Sequence, residues 1–331
     1  MLRYILKRLL WLIPVIVGVI TIVFAITVLT PGDPAASLLD MNATQEQIDE
    51  VHHRLGLDKP VIERWFNYVV GIFTKFDFGT SYTTMQPVKD ELLTKLPYTL
   101  ILAFASTFLG VLIGIPLGIW AALKQYTVVD GAVLVLSVLF VSMPNFWLAM
   151  ILISVFAVSL GILPAFGVYE LSGWILPIAI ATVGSMAGII RITRSSMLEV
   201  MRADYIRTAR AKGQKESVIV VRHMMRNALI PVATSVGAGL GNSLGGNMTL
   251  EAVFALPGIG YYIVNAISTQ NHPSMLGGIL LTAIMFTVVN LIVDITYVII
   301  DPRLKSQIAG KKINNRKFNQ LLKEQGVVVN G

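Results

Sequence analysis

Several features of this 331-residue chain have residue types and spacing that could do chemistry. Gly241-Asn242-Ser243-Leu244-Gly245 has the Gly-x-Ser-x-Gly spacing of a nucleophile elbow, in which a sharp strand-to-helix turn exposes a serine to a general base. Here the pattern lies inside an apolar run, and Gly237, Gly241 and Gly245 recur at intervals of four. That spacing lets helix backbones approach closely in lipid, and close packing is the preferred reading. No histidine lies in an apolar run to serve as the base. Asp294 is the one acid within such a run, where an ionisable group acts as a proton site or a polar clamp. Its place about two turns from the end of the run favours a structural partner or water contact over a proton relay. His52, His53, His223 and His272 are too scattered for a metal cluster, although the adjacent His52-His53 could face an external ligand. There is no Gly-x4-Gly-Lys-Ser/Thr phosphate loop and no His-Glu-x-x-His. The chain has no cysteine, which excludes disulfides and thiolate chemistry. No catalytic residue and no metal site are therefore assigned.

The other candidate is a polar segment, 191–227, caught between apolar runs. It carries Arg191, Arg194, Arg202, Arg207, Arg210, Lys212, Lys215, Arg222 and Arg226 against Glu199, Asp204 and Glu216. Asp204-Tyr205-Ile206-Arg207-Thr208-Ala209-Arg210-Ala211-Lys212 predicts about two turns of helix, stopped by Gly213 as a left-handed cap. A second helical run over 216–229, which includes His223, leads to Pro231 at the next apolar run. Ile206, Ala209 and Ala211 interleave with the cations. That regularity favours a docking element for a partner protein over a solvated basic linker.

The elements that must position these residues follow from composition. Hydrophobic residues make up 55% of the chain and charged ones 14%, against about 25% charged in soluble domains. The charge-free stretches are long enough to cross a bilayer, which takes about 20 apolar residues. The expected architecture is an all-α polytopic membrane protein with about six transmembrane helices. Residues 1–32 form a first, uncleaved span closed by Pro31-Gly32-Asp33-Pro34, and 33–95 form an extramembrane lobe rich in interfacial aromatics such as Trp65 and Tyr68. A core over 96–305 holds five further spans at about 96–123, 132–160 (kinked), 171–190, 228–250 and 275–300. Gly110, Gly114 and Gly118 repeat the four-residue packing spacing in the second span. Residues 306–331 form a basic tail. With six spans both termini share a side with the 191–227 loop, and that side collects most of the Lys and Arg. The positive-inside rule then makes it cytoplasmic and the 33–95 lobe extracytoplasmic. Topology accounts for the +7 net charge, so no nucleic-acid partner is needed.

These motifs resemble the dipeptide/oligopeptide branch of permease subunits of bacterial ABC import systems. Arg207-Thr208-Ala209-Arg210-Ala211-Lys212-Gly213, continuing through Arg222-His223 and Arg226-Asn227-Ala228-Leu229-Ile230-Pro231, looks like that branch's version of the permease signature loop. Arg207-Thr208-Ala209 stands where the general signature has Glu-Ala-Ala, and the later Ile-x-Leu-Pro is replaced too, which argues against a close sugar-importer relative. Further matches include Leu55-Gly56-Leu57-Asp58-Lys59-Pro60, Asp77-Phe78-Gly79-Thr80-Ser81-Tyr82, Leu96-Pro97-Tyr98-Thr99-Leu100, Glu251, Pro257-Gly258-Ile259-Gly260 and Asp301-Pro302-Arg303. The resemblance runs over about residues 1–305. One departure is Asn271-His272-Pro273, where the family usually has Asp-Tyr-Pro.

The resemblance implies the type I importer permease fold in the bacterial cytoplasmic membrane, with 204–213 as a coupling helix. It implies a second permease, two ATPase subunits and an extracytoplasmic binding protein as partners, with no cofactor and no catalysis in this subunit. The implied cargo is a dipeptide or oligopeptide, with a nickel–chelate or glutathione as alternatives. The rivals from other classes are a proton-coupled secondary transporter relying on Asp294 and an intramembrane hydrolase relying on Ser243.

Overall fold

A backbone in lipid has no water to bond with, and an α-helix satisfies its N–H and C=O groups internally, so long uncharged runs become helices. The computed structural model describes residues 2–39 and 43–300; the side chains of residues 2–9, Ser37, Gly246, Asp294 and 297–300 lie outside that description. No β-strand occurs among the described residues, only an isolated bridge between Thr80 and Pro87. The tail over 306–331 and the Asp301-Pro302 stop fall outside the described residues, and Asp294 is described only as a position on a helix.

The first helix, α1, runs Leu2–Leu29 and carries Pro14. The lobe follows with α2 (Pro34–Ser37), α3 (Gln45–Leu55) and α4 (Val61–Lys75). A reciprocal capping box between Thr44 and Gln47 starts α3, and such a cap contributes about 0.5–2 kcal/mol. The second span belongs to α5, Val88–Leu123, a single 36-residue helix with Pro97 and Pro116 inside it. It begins eight residues before the expected start because its charged first turns (Lys89, Asp90, Glu91) continue the same helix into the lobe.

The expected kinked span over 132–160 is broken more sharply than a kink. Helix α6 (Val128–Ser142) meets α7 (Asn145–Leu152), which continues as a π-helical segment Ile153–Ser159, at 97° across Met143-Pro144. Pro144 has no N–H to donate into the preceding helix, and it disfavours helical geometry at Met143. Helix α8 (Ile175–Met201), entered by a 3-10 turn at Leu171–Trp174, also corrects a boundary: it ends at Met201, not near residue 190. Arg191, Arg194 and Glu199 thus sit on a rigid extension of the span. The polar connection shrinks to α9 (Asp204–Ala211), α10 (Glu216–Val218) and a π-helical segment Ile219–Met224.

That segment runs directly into α11 (Met225–Gly246), so the run expected over 228–250 starts earlier and stops sooner. Two short helices follow, α12 (Met248–Val253) and α13 (Ile259–Ser268), before α14 (His272–Ile300). Four helical stretches are long and apolar enough to cross a bilayer, or five with the bent pair. Helix α11 makes the difference from six. At 22 residues it is about 33 Å long, but its glycines, serines and Asn242 thin its apolarity.

The packing glycines set the helix order. An added Cβ would collide with Ser185 at Gly110 and with Thr193 and the Ile190 carbonyl at Gly118, and would press on Ile189 at 3.0 Å at Gly114. Both series ascend by four, so α5 and α8 run parallel in 4-4 register. Gly237 meets Val293, Gly241 meets Asn290 and Phe286, and Gly245 meets Thr282, so α11 and α14 run antiparallel. The lobe is not an independent unit: Ile72 of α4 shares one core with Ile20, Val88, Leu92, Ile259, Ile263 and Leu280.

Candidate functional site

Helix α9 is amphipathic by spacing. Ile206 and Ala209, three residues apart, occupy one face and are buried in a cluster with Ala122, Met197, Ile219, Val220, Met224 and Ala228. This cluster joins the ends of α5, α8 and α11 beneath α9. Burying Ile206 contributes about 1.5–3 kcal/mol. Ala209 therefore anchors α9 and does not belong to the outward basic face, where the sequence reading had mixed it. Asp204, Tyr205, Arg207, Thr208, Arg210, Ala211, Lys212 and Arg222 are exposed.

Several bonds hold α9 against the helix that follows. The Arg210 guanidinium donates to both oxygens of Glu216, at 3.2 and 2.6 Å. Arg210 holds the Glu216 carboxyl below the usual carboxylate range, and Glu216 in turn pushes the guanidinium further up. Asn227 Nδ2 donates to the Tyr205 hydroxyl at 3.1 Å, and His223 Nε2 pairs with Gln214 Oε1 at 2.9 Å. Arg207 lies 3.8 Å from Asp204, both exposed at the surface. Gly213 has φ +73°, the left-handed cap its position required, and its N–H reaches the Arg210 carbonyl. The product is a short helix fixed on its inner side and presenting Arg207 and Lys212 outward, with Arg222 exposed on the π-helical segment that follows.

Two buried polar contacts escaped the sequence reading. Glu251 of α12, 1% exposed, accepts from Thr99 Oγ1 (2.8 Å) and from the N–H groups of Gly260 (2.7 Å) and Tyr261 (3.1 Å). Thr99 also accepts from the Ile259 N–H at 2.9 Å. These bonds tie the start of α13 to α5. The second contact pairs Asp130 at the start of α6 with Arg194 on the extended end of α8. Each carries a signal, a charge beside or inside an apolar run, but the partners lie 152 and 64 residues away in sequence.

Ser243 sits in the last turn of α11, without the strand–turn–helix setting that a nucleophile elbow needs. His52 bonds Asp33 at 2.7 Å. Among the described residues, no group of three or more His, Asp or Glu could hold a metal ion.

Two family models match the chain: the binding-protein-dependent transport system inner membrane component over residues 114–306, and the N-terminal region of such membrane components over residues 1–103. A dipeptide transport system permease protein, DppB, of Alkalihalophilus pseudofirmus is 41% identical over 92% of this chain and all of its own length. The oligopeptide transport system permease protein AppB of Bacillus subtilis is 36% identical over the same shares. The glutathione transport system permease protein GsiC of Salmonella choleraesuis is 38% identical over 92% of this chain and 99% of its own. Among solved structures, an inward-facing MetNI methionine ABC transporter chain superposes with a TM-score of 0.53 at 21% identity, over 64% of this chain and 97% of that one, a likeness of fold.

Proposed function

The chain belongs to the family of binding-protein-dependent transport system inner membrane components, and from that premise we propose that it carries dipeptides or oligopeptides across the cytoplasmic membrane as one permease of an ABC importer. In this reading the ATP-hydrolysing work is done elsewhere, by two ATPase subunits, with a second permease completing the pore and an extracytoplasmic binding protein delivering cargo. Both termini and α9 face the cytoplasm. The permease catalyses nothing itself.

The observation that carries the reading is α9. Its inner face is seated on the ends of α5, α8 and α11, and its outer face offers exposed cations. A partner that grips α9 and moves it moves three membrane helices together, which is the two-state element a coupled transporter requires. A secondary reading keeps the machine and exchanges the cargo: relatives named for glutathione transport are nearly as similar as those named for peptides, and glutathione is itself a short peptide.

The test is reconstitution in liposomes with ATPase, second-permease and binding-protein subunits from the same genome. ATP-dependent accumulation of labelled dipeptide is expected. Accumulation of glutathione but not of dipeptide would exchange the cargo. Uptake by the purified chain alone on a proton gradient would overturn the assignment.

A further inference from the structure

Between the lobe and the first turn of α14 lies a cavity of about 310 Å3. Arg64 and Tyr68 from α4, Tyr82 from the loop after it and His272 from α14 line its polar side, and Lys59 and Asp77 complete its charged groups. An adjoining hollow of about 230 Å3 shares Arg64 and His272 with it. The hydroxyl of Tyr68 and Nδ1 of His272 are buried, and neither has a hydrogen-bond partner among the described residues. Arg64 lies over the Phe24 ring, 5.8 Å from its centroid, and pairs with no carboxylate among the described residues.

Buried polar atoms are almost always bonded, so two unpartnered ones on a single wall call for an explanation. The phenol can donate one hydrogen bond, the imidazole one from Nδ1, and the guanidinium several in a planar fork. Asp77 already accepts from the Gly79 N–H at 2.8 Å. Lys59 is paired with Glu63 at 3.5 Å, so the charge on this wall without a carboxylate partner among the described residues is that of Arg64. Water would satisfy the two neutral atoms but leave that charge unmatched. A carboxylate meets all three groups at once, because its two coplanar oxygens take an arginine fork and have lone pairs to spare.

We propose that this cavity is a carboxylate-recognition site held by Arg64, Tyr68 and His272. The carboxylate is either the C-terminus of a free peptide or an acidic side chain of a protein seated on the lobe. The binding step does not rest on the transport reading.

The full-length chain, labelled with 15N-histidine in lipid nanodiscs without partner subunits, provides the test. The His272 resonance is assigned by its loss in His272→Tyr. Alanyl-alanine represents the free terminus and N-acetyl-glutamate N-methylamide the protein side chain, with alanyl-alanine amide and blocked glutamine as uncharged controls. At least one carboxylate is expected to shift His272 saturably, about tenfold more tightly than its control, and the tighter of the two names the source. Arg64→Gln and Tyr68→Phe should each weaken that affinity about tenfold with unchanged thermal unfolding. No saturable shift, equal binding of the uncharged controls, or full affinity in both variants would overturn the site. Failure here would leave reconstituted uptake untouched, and failed uptake would leave this binding curve untouched.

Discussion

Arg194 grips both carboxylate oxygens of Asp130, with Nε 2.5 Å from Oδ1 and Nη2 2.7 Å from Oδ2. The pair bolts the start of α6 to the part of α8 that carries α9. Oδ2 also accepts from the Tyr126 N–H at 3.1 Å, which fixes the short turn between α5 and α6. One side chain thus organises the ends of three helices.

Replacing Asp130 with Asn should leave the Arg194 charge half-buried and unpaired, a loss of up to about 3–5 kcal/mol for a fully buried pair. A drop in the unfolding midpoint in detergent is the expected readout. The double variant Asp130→Leu with Arg194→Met should recover part of the loss, and the same drop in both would show that packing, not charge, holds this corner.

Gly118 offers a cleaner packing test. A Cβ there would lie 2.6 Å from Thr193 Cβ and 2.8 Å from the Ile190 carbonyl oxygen, both on the facing helix. Gly118→Val should push α5 from α8 and cost more than the about 1–3 kcal/mol typical of overpacking, because backbone cannot yield as a side chain does. Gly131→Ala, with nothing within 4 Å of the added carbon, is the tolerated control. Expression yield and monodispersity after solubilisation report the difference.

Thr99→Val removes the hydroxyl that both donates to Glu251 and receives the Ile259 N–H. Stranding those two buried groups should cost about 1–3 kcal/mol each. Thr99→Ser should keep both bonds and most of the stability. Protease sensitivity of the loop before α13 would register the loss, and equal protection in the two variants would count against this latch.

Gly213→Val asks whether the bend after α9 matters to coupling. A β-branched residue at φ +73° costs roughly 1–2 kcal/mol of strain. The expected result is normal insertion with substrate-stimulated ATP hydrolysis in the assembled transporter reduced several-fold. Wild-type stimulation would mean that the bend is only a connector.

Acid should reach this region through Glu216. Its carboxyl is held below the ordinary glutamate value of about 4.3 by the Arg210 hydrogen bond. A lowered value means the pair stabilises fully above that ordinary range and loses its contribution as pH falls through the lower folded value. Glu216→Gln at neutral pH should therefore loosen α9 in the way that acid below that range loosens it in the wild-type protein. Amide exchange over 204–213 measures both.

The membrane-crossing stretches were legible because runs without charge announce themselves, and the four-residue glycine spacings named the contact faces before any partner was visible. Helix ends were not. The reading stopped each span at its first charges, whereas Lys89, Asp90 and Glu91 extend α5 outward, and Arg191, Arg194 and Glu199 extend α8. A charged side chain ends the apolar run without ending the helix, since its head can reach water while the backbone keeps its bonds. On α9 the period-3.6 rule already placed Ile206 and Ala209 on one face. Weighing the basic residues first hid that inner seam. Glu251 was noted as a motif residue, but its role depends on Thr99, and no local pattern reveals a partner on another helix.

The π-helical turn at Ile219–Met224 has a consequence for angular phase. Each residue of an α-helix advances its neighbours by about 100°, so a turn one residue wider rotates everything after it by about that amount. Gly237, Gly241 and Gly245 face α14 with that rotation applied, while Ile219 and Val220 at the start of the turn face the cluster beneath α9. The wide turn is a gear tooth: it keeps two contact stripes of one continuous helical run in mesh with different neighbours at once.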